Sequence, residues 1–206
     1  MASHLRLRKL FRPLIIFLAR NLNKIGITAN LATFIMVLFS VLGSTFLILS
    51  SNLLIFSIFI FLTGIFDGID GAIARLTEKA TPQGGFLDSV SDRLSEFIIF
   101  FGLLIYCWDK RLFMLIDMRI VIFFSLFASI MISYLRARAE VFFKGDFDVG
   151  LMARSERLFY LFITCLVSHF FGCLNEYIFI FMILVILTAF FRYFKIISLI
   201  KKFEIN

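Results

Sequence analysis

Residues 66–96 read FDGIDGAIARLTEKATPQGGFLDSVSDRLSE and set four carboxylates, Asp67, Asp70, Asp88 and Asp92, in a chain that is 61% hydrophobic. A carboxylate deep in a helical span costs about 2.5–3.5 kcal/mol, so four cost on the order of 10 kcal/mol unless something cationic compensates them. Few basic residues lie nearby in the sequence, so bound cations are the expected compensation. At helical spacing Asp67, Asp70, Gly71 and Ala74 share one face, and Asp88 and Asp92 are i,i+4 neighbours on the next helix. Four carboxylates with no histidine or cysteine beside them make an oxygen-only site, which suits Mg2+ or Mn2+ and not zinc or copper. Gly71, Ala74 and Gly84 lie on or beside the same face. They either let helices approach closely or leave a flat slot where a ligand lies against backbone. Arg75 follows at once and is placed to meet a phosphate.

The elements that must position these residues are apolar. The chain has 206 residues and a mean hydropathy of +1.00, and runs of about 20 apolar residues, enough to cross a bilayer, recur along it. The expected fold is an all-α integral membrane protein, a single domain over 1–206. It has six transmembrane helices near 31–50, 53–75, 85–107, 116–138, 155–172 and 177–197. Residues 1–28 mix Arg and Lys with Leu, Ile and Phe, which suits an amphipathic helix lying in the headgroup layer ahead of a six-helix bundle at 31–197. Thr28 or Asn30 is available to cap the first span, and GDFDVG at 145–150 is the clearest irregular loop. The basic N-terminal stretch leads into an apolar run without a cleavage pattern, so it is not read as a signal peptide.

The net charge of +7 does not point to nucleic acid, because the cations sit at the ends of apolar segments. Alternate sides of the six spans carry 18 and 3 Lys and Arg. By the positive-inside rule both termini and the aspartate stretch face the cytoplasm, from a cell membrane the chain crosses repeatedly. Spans two and three are joined by the short LTEKATPQGG and are expected to pack antiparallel, bringing their acids together. Cys107, Cys165 and Cys173 read as small core residues, not a disulfide framework or a metal site. Arg136 and Arg138 (SYLRARAE), Arg154 and Arg157 (ARSER), and Arg192 (FFRYFK) collect at cytoplasmic helix ends. Any one of them serves as a topology anchor; as a set near an acidic site they make a phosphate pocket.

The pattern Asp67-x2-Asp70-Gly71-x2-Ala74-Arg75-x8-Gly84-x3-Asp88-x3-Asp92 resembles the signature of the CDP-alcohol phosphotransferase family, with every defined position filled. The resemblance implies a homodimer with a polar cavity open to the cytoplasm. It implies transfer of a phosphatidyl-type group from a CDP-lipid to an alcohol, with release of CMP. It would give Asp67, Asp70 and Asp88 to metal ions, two in number, and Asp92 to general-base work with metal contact as well. Asp67, Asp70 and Asp88, with Gly71, Ala74, Arg75 and Gly84, would hold the CDP-lipid. Asn30, after a Gly-x-Thr-x-Asn approach to span one, would contact it too, although Ala29 stands where a proline is common. SYLRARAE and RSERL resemble the inositol-phosphate-using branch, the phosphatidylinositol-phosphate and archaetidylinositol-phosphate synthases. That places the phosphate of inositol 1-phosphate among Arg136, Arg138, Arg154, Arg157 and Arg192, with glycerol 3-phosphate as the alternative acceptor. The sequence does not distinguish an acyl from an archaeal ether-lipid donor. Two further classes stand against this reading, a membrane prenyltransferase, which needs more spans, and a non-enzymatic cation-binding transporter, which leaves the glycines and arginines without a role. Glu96, four residues after Asp92, is placed to orient a neighbouring group.

Overall fold

Apolar periodicity and polar caps divide the chain into helices wherever the sequence expects them. The structure, a computed structural model, describes residues 7–142, 147 and 150–205. Among these, the helices are α1 (Leu7–Lys24), α2 (Ala29–Ser50), α3 (Leu53–Leu76), α4 (Pro82–Tyr106), α5 (Met118–Phe142), α6 (Arg154–Phe171) and α7 (Leu174–Ile205). The starts follow capping chemistry: Thr28 accepts from Leu31 N, Asn52 from Leu54 N and Ile55 N, and Thr81 from Gly84 N. Thr28, not Asn30, is therefore the cap of α2. α6 ends at Gly172, whose φ of 79° is the left-handed conformation that lets its N–H reach Ser168 O at 3.0 Å. Of the GDFDVG loop, only Phe147 and Gly150 fall among the described residues; Phe147 is buried against Ala139 and Ile196.

Among the described residues, four helices, α2, α3, α5 and α7, are long and apolar enough to cross a membrane. A short hairpin, β1 (Arg111–Leu112) with β2 (Ile116–Asp117), precedes α5, so the expected fourth span begins two residues late, at Met118. Cys107 and Cys165 are buried as expected, but Cys173 is exposed in the α6–α7 connection.

The expected pairing of spans two and three is corrected. α3 and α4 touch at only a few residues, because α2 packs against both and wedges between them. Small side chains on α2 make this possible. Gly43 lies against Phe59 of α3, and on the other side Ser44 meets Gly102 of α4 and donates to Ile98 O at 2.8 Å. A Cβ on Gly102 would stand 2.8 Å from Ser44 Cβ and 3.1 Å from its Cα, so the helices would have to part. Gly102→Ala is expected to cost about 1–3 kcal/mol, the usual size of overpacking. It should read as a lower thermal unfolding temperature in detergent; an unchanged midpoint would mean the contact is looser than it looks.

α1 carries two apolar stripes. Ile15, Leu18, Ala19 and Leu22 pack on Ile65, Ile69, Ala72 and Ile73 of α3, while Leu10, Leu14 and Phe17 are exposed. The first stripe is held by a close contact, since Ile15 fills the space a side chain at Gly68 would need.

Candidate active site

α3 and α4 bring three of the four aspartates together. Asp67, Asp88 and Asp92 each offer an oxygen within 4.8 Å of the others. The group does not include Asp70, which is buried and accepts a 2.8 Å hydrogen bond from Thr33 Oγ1 on α2. Asp70 thus ties the wedge helix to the acidic face. The expected shortage of partner cations is also corrected. Arg154, the first residue of α6, ion-pairs with Asp67 and lies 2.6 Å from Asp92 Oδ1, and Arg93 Nη1 is 3.3 Å from Asp92 Oδ2.

The donor set fits a hard divalent cation. It is made of carboxylate oxygens alone, and Asp92 Oδ1 is buried without a hydrogen bond of good geometry despite its nearness to Arg154.

These aspartates open on a cavity of about 540 Å3 between α1, α3, α4 and α6. Along α3 its lining runs from Ile60 and Phe61 to Asp67, Asp70, Gly71 and Arg75, so it is apolar at one end and charged at the other. The apolar end is a ring cluster: Phe61 lies 4.9 Å from Phe162 and 6.3 Å from Phe11, and Phe159 joins both Phe11 and Phe162. Arg75 folds back over Gly71, where a Cβ would be 3.2 Å from Nη1. Arg12 of α1 lines the same cavity. Ala74 and Gly84 are outside this lining. Gly84 instead neighbours Asn30, whose Oδ1 would be 3.8 Å from a Cβ there, so α2 and α4 present these two expected donor contacts together.

A second cavity, about 80 Å3, is lined by Arg93, Arg136, Arg154, Arg157 and Arg192. It shares Asp92 and Ser155 with the first. Four of the five expected arginines therefore converge. Arg138 does not line it and sits with its guanidinium 4.4 Å from the Phe142 ring centroid. Arg136 Nε donates to Glu140 Oε1 at 2.8 Å, and buried Arg192 donates from Nη1 to Ile132 O at 2.9 Å. Arg157 is committed to protein: Nε and Nη2 reach the two oxygens of Glu96 at 2.7 and 2.9 Å, and Nη1 reaches Met152 O at 3.1 Å. Glu96 orients a neighbour, as expected, and that neighbour is Arg157.

Thr33, Arg93, Ser95 and Ser155 were not singled out from sequence. Thr33 is three residues after Asn30 and Ser95 three after Asp92, so helical spacing alone would have put each beside an expected site residue.

Apolar helices around a cavity with a charged end and an oily end suit a ligand with a charged head and an apolar tail. Residues 26–197 match the family model described as CDP-alcohol phosphatidyltransferase, and the chain belongs to that family. It is 36% identical over 152 residues to archaetidylinositol phosphate synthase of Pyrococcus horikoshii, covering 72% of this chain and 74% of that protein. It is 35% identical over 155 residues to phosphatidylinositol phosphate synthase of Mycobacterium marinum, 74% of this chain and 64% of the other. The fold is similar to crystal structures of Mycobacterium tuberculosis phosphatidylinositol phosphate synthase, 27% identical. With CDP-DAG bound the TM-score is 0.76, covering 88% of this chain and 92% of that one. With manganese and citrate it is 0.77, covering 88% of each.

Proposed function

We propose that this enzyme transfers a phosphatidyl or archaetidyl group from a CDP-lipid to inositol 1-phosphate, releasing CMP. The observation that carries this reading is the junction of two cavities of opposite character at Asp92 and Ser155. The first suits the donor, with its diphosphate and cytidine toward Asp67, Asp70, Gly71, Arg75 and Asp88 and a hydrocarbon chain toward Phe61 and Phe162. Asn30, Ala74 and Gly84 extend the cytidine contacts from the neighbouring helix ends. The second suits a phosphate on the acceptor, gripped by guanidiniums of Arg136, Arg154 and Arg192, with Arg93 added at the rim.

Asp67, Asp88 and Asp92, with Asp70 behind them, would hold Mg2+ or Mn2+, two ions in all. When bound these neutralise the diphosphate and the departing CMP. Asp92 takes the proton of the acceptor hydroxyl. The hydroxyl oxygen bonds to the lipid-side phosphorus as the anhydride oxygen leaves with CMP.

The same reading has α4 and α6 crossing the membrane with the other four, their charged residues shielded inside the site. α1 lies in the interface, both termini and the site face the cytoplasm, residues 1–206 form one domain, and two copies pair.

CMP release by purified protein with Mg2+ and CDP-lipid tests the proposal, with inositol 1-phosphate, glycerol 3-phosphate, free inositol and serine offered separately. Release only with inositol 1-phosphate is expected. Release with glycerol 3-phosphate alone would keep the phosphate pocket and replace the polyol. Release with serine or free inositol would overturn the role given to the arginines.

A further inference from the structure

The two arginines at the start of α6 are in opposite states. Arg157 has each of its three nitrogens bonded, to Glu96 and Met152 O. Arg154, nearly as buried, has Nη1 on Asp67 and Asp92 and Nη2 on Ser95 Oγ at 2.8 Å, while its Nε is buried with no hydrogen-bond partner. Arg154 also borders the second cavity. Its seat is therefore made of two of the three carboxylates fit for a divalent cation, and a cation and the guanidinium compete for the same oxygens.

We infer that Arg154 is a resident counter-ion of the acidic site that gives up Asp67 and Asp92 when divalent cations load, and then turns into the second cavity to take the acceptor's phosphate. The inference rests on the cation and acceptor reading above. Arg154 offsets part of the charge of three carboxylates that lie within 4.8 Å of one another. Cation and acceptor phosphate favour the same displaced Arg154, so each strengthens the binding of the other by the same factor. The consequence for the reaction is positive cooperativity between cations and the phosphorylated acceptor, with Arg154 positioning the acceptor when the donor's site is charged.

The test is Mn2+ binding to purified protein without lipid or acceptor, read from the electron paramagnetic resonance signal of free Mn2+. Wild type is compared with Arg154→Met and Ser95→Ala. Arg154→Met removes the competitor and is expected to bind Mn2+ on the order of tenfold more tightly. Ser95→Ala keeps every charge and only loosens the seat. It is expected to tighten binding by about threefold to tenfold, the net size of one ordinary hydrogen bond. Ser95→Ala decides the matter alone if Arg154→Met does not fold. Ser95→Ala indistinguishable from wild type would overturn the inference, because any effect of Arg154→Met would then be removal of a charge. Wild-type protein that binds Mn2+ equally well as both variants overturns this inference and leaves the cation site standing. Wild-type protein that binds no Mn2+ overturns both.

Discussion

Asp92→Asn is expected to lower CMP release by about 10²–10⁴-fold, the contribution of a positioned general base, and to weaken CDP-lipid binding far less than that. The asymmetry follows from where Asp92 sits. It is the aspartate common to both cavities, within reach of Arg154 and Arg93, whereas Asp67, Asp70 and Asp88 line the first cavity alone. An asparagine keeps the shape and one carbonyl oxygen but cannot accept the acceptor's proton at neutral pH. Raising Mg2+ should therefore fail to restore Asp92→Asn. Asp88→Asn, which weakens the cation site without removing the base, should be partly rescued. The check is CMP release across a Mg2+ series for both variants. Equal rescue of the two would demote Asp92 to a ligand.

The second large effect is on stability. Glu96 and Arg157 are 2% and 1% exposed and bonded through two contacts that join α4 to α6. Removing one partner of such a pair leaves a buried charge and costs about 3–5 kcal/mol. Arg157→Met is expected to lower the thermal unfolding midpoint by many degrees. The double variant Glu96→Leu/Arg157→Met should recover most of that loss, since an apolar pair of similar volume is often neutral. The same measurement separates two roles for Arg157. A midpoint that barely moves, with a raised acceptor KM, would return it to the phosphate pocket where its place in ARSER suggests it belongs.

These two cases show how far the sequence could be read. The start of α2 was legible because Thr28 stands just ahead of an apolar run, and the acidic faces because i,i+3 and i,i+4 spacing is local. Which helices touch is not local. The short connection between α3 and α4 pointed to a paired packing, yet small residues on both sides of α2, Gly43 and Ser44, let it slide between them. The arginines were ambiguous for a related reason. At the end of an apolar run a guanidinium looks the same whether it meets headgroups, a carboxylate or a ring. Arg154 and Arg157 meet carboxylates on the helices opposite them, whereas Arg138 covers a ring on its own helix, Phe142. Thr33 is easily passed over because a hydroxyl in an apolar helix ordinarily bonds back to its own turn, and Ala29 O is 3.2 Å away here; only its three-residue step from Asn30 points to the site.

The gradient along the first cavity, from the Phe61–Phe162 cluster to the aspartates roughly two turns away along α3, fixes the dimension in which this enzyme counts its substrate. A donor that keeps its chains in oil while its head reacts is never dissolved in a volume; it is spread over an area. Its saturation should follow the mole fraction of CDP-lipid in the surrounding micelle or bilayer and ignore its bulk molarity. Diluting the whole sample with buffer should then leave the rate per enzyme unchanged, while diluting the surface with inert lipid should lower it.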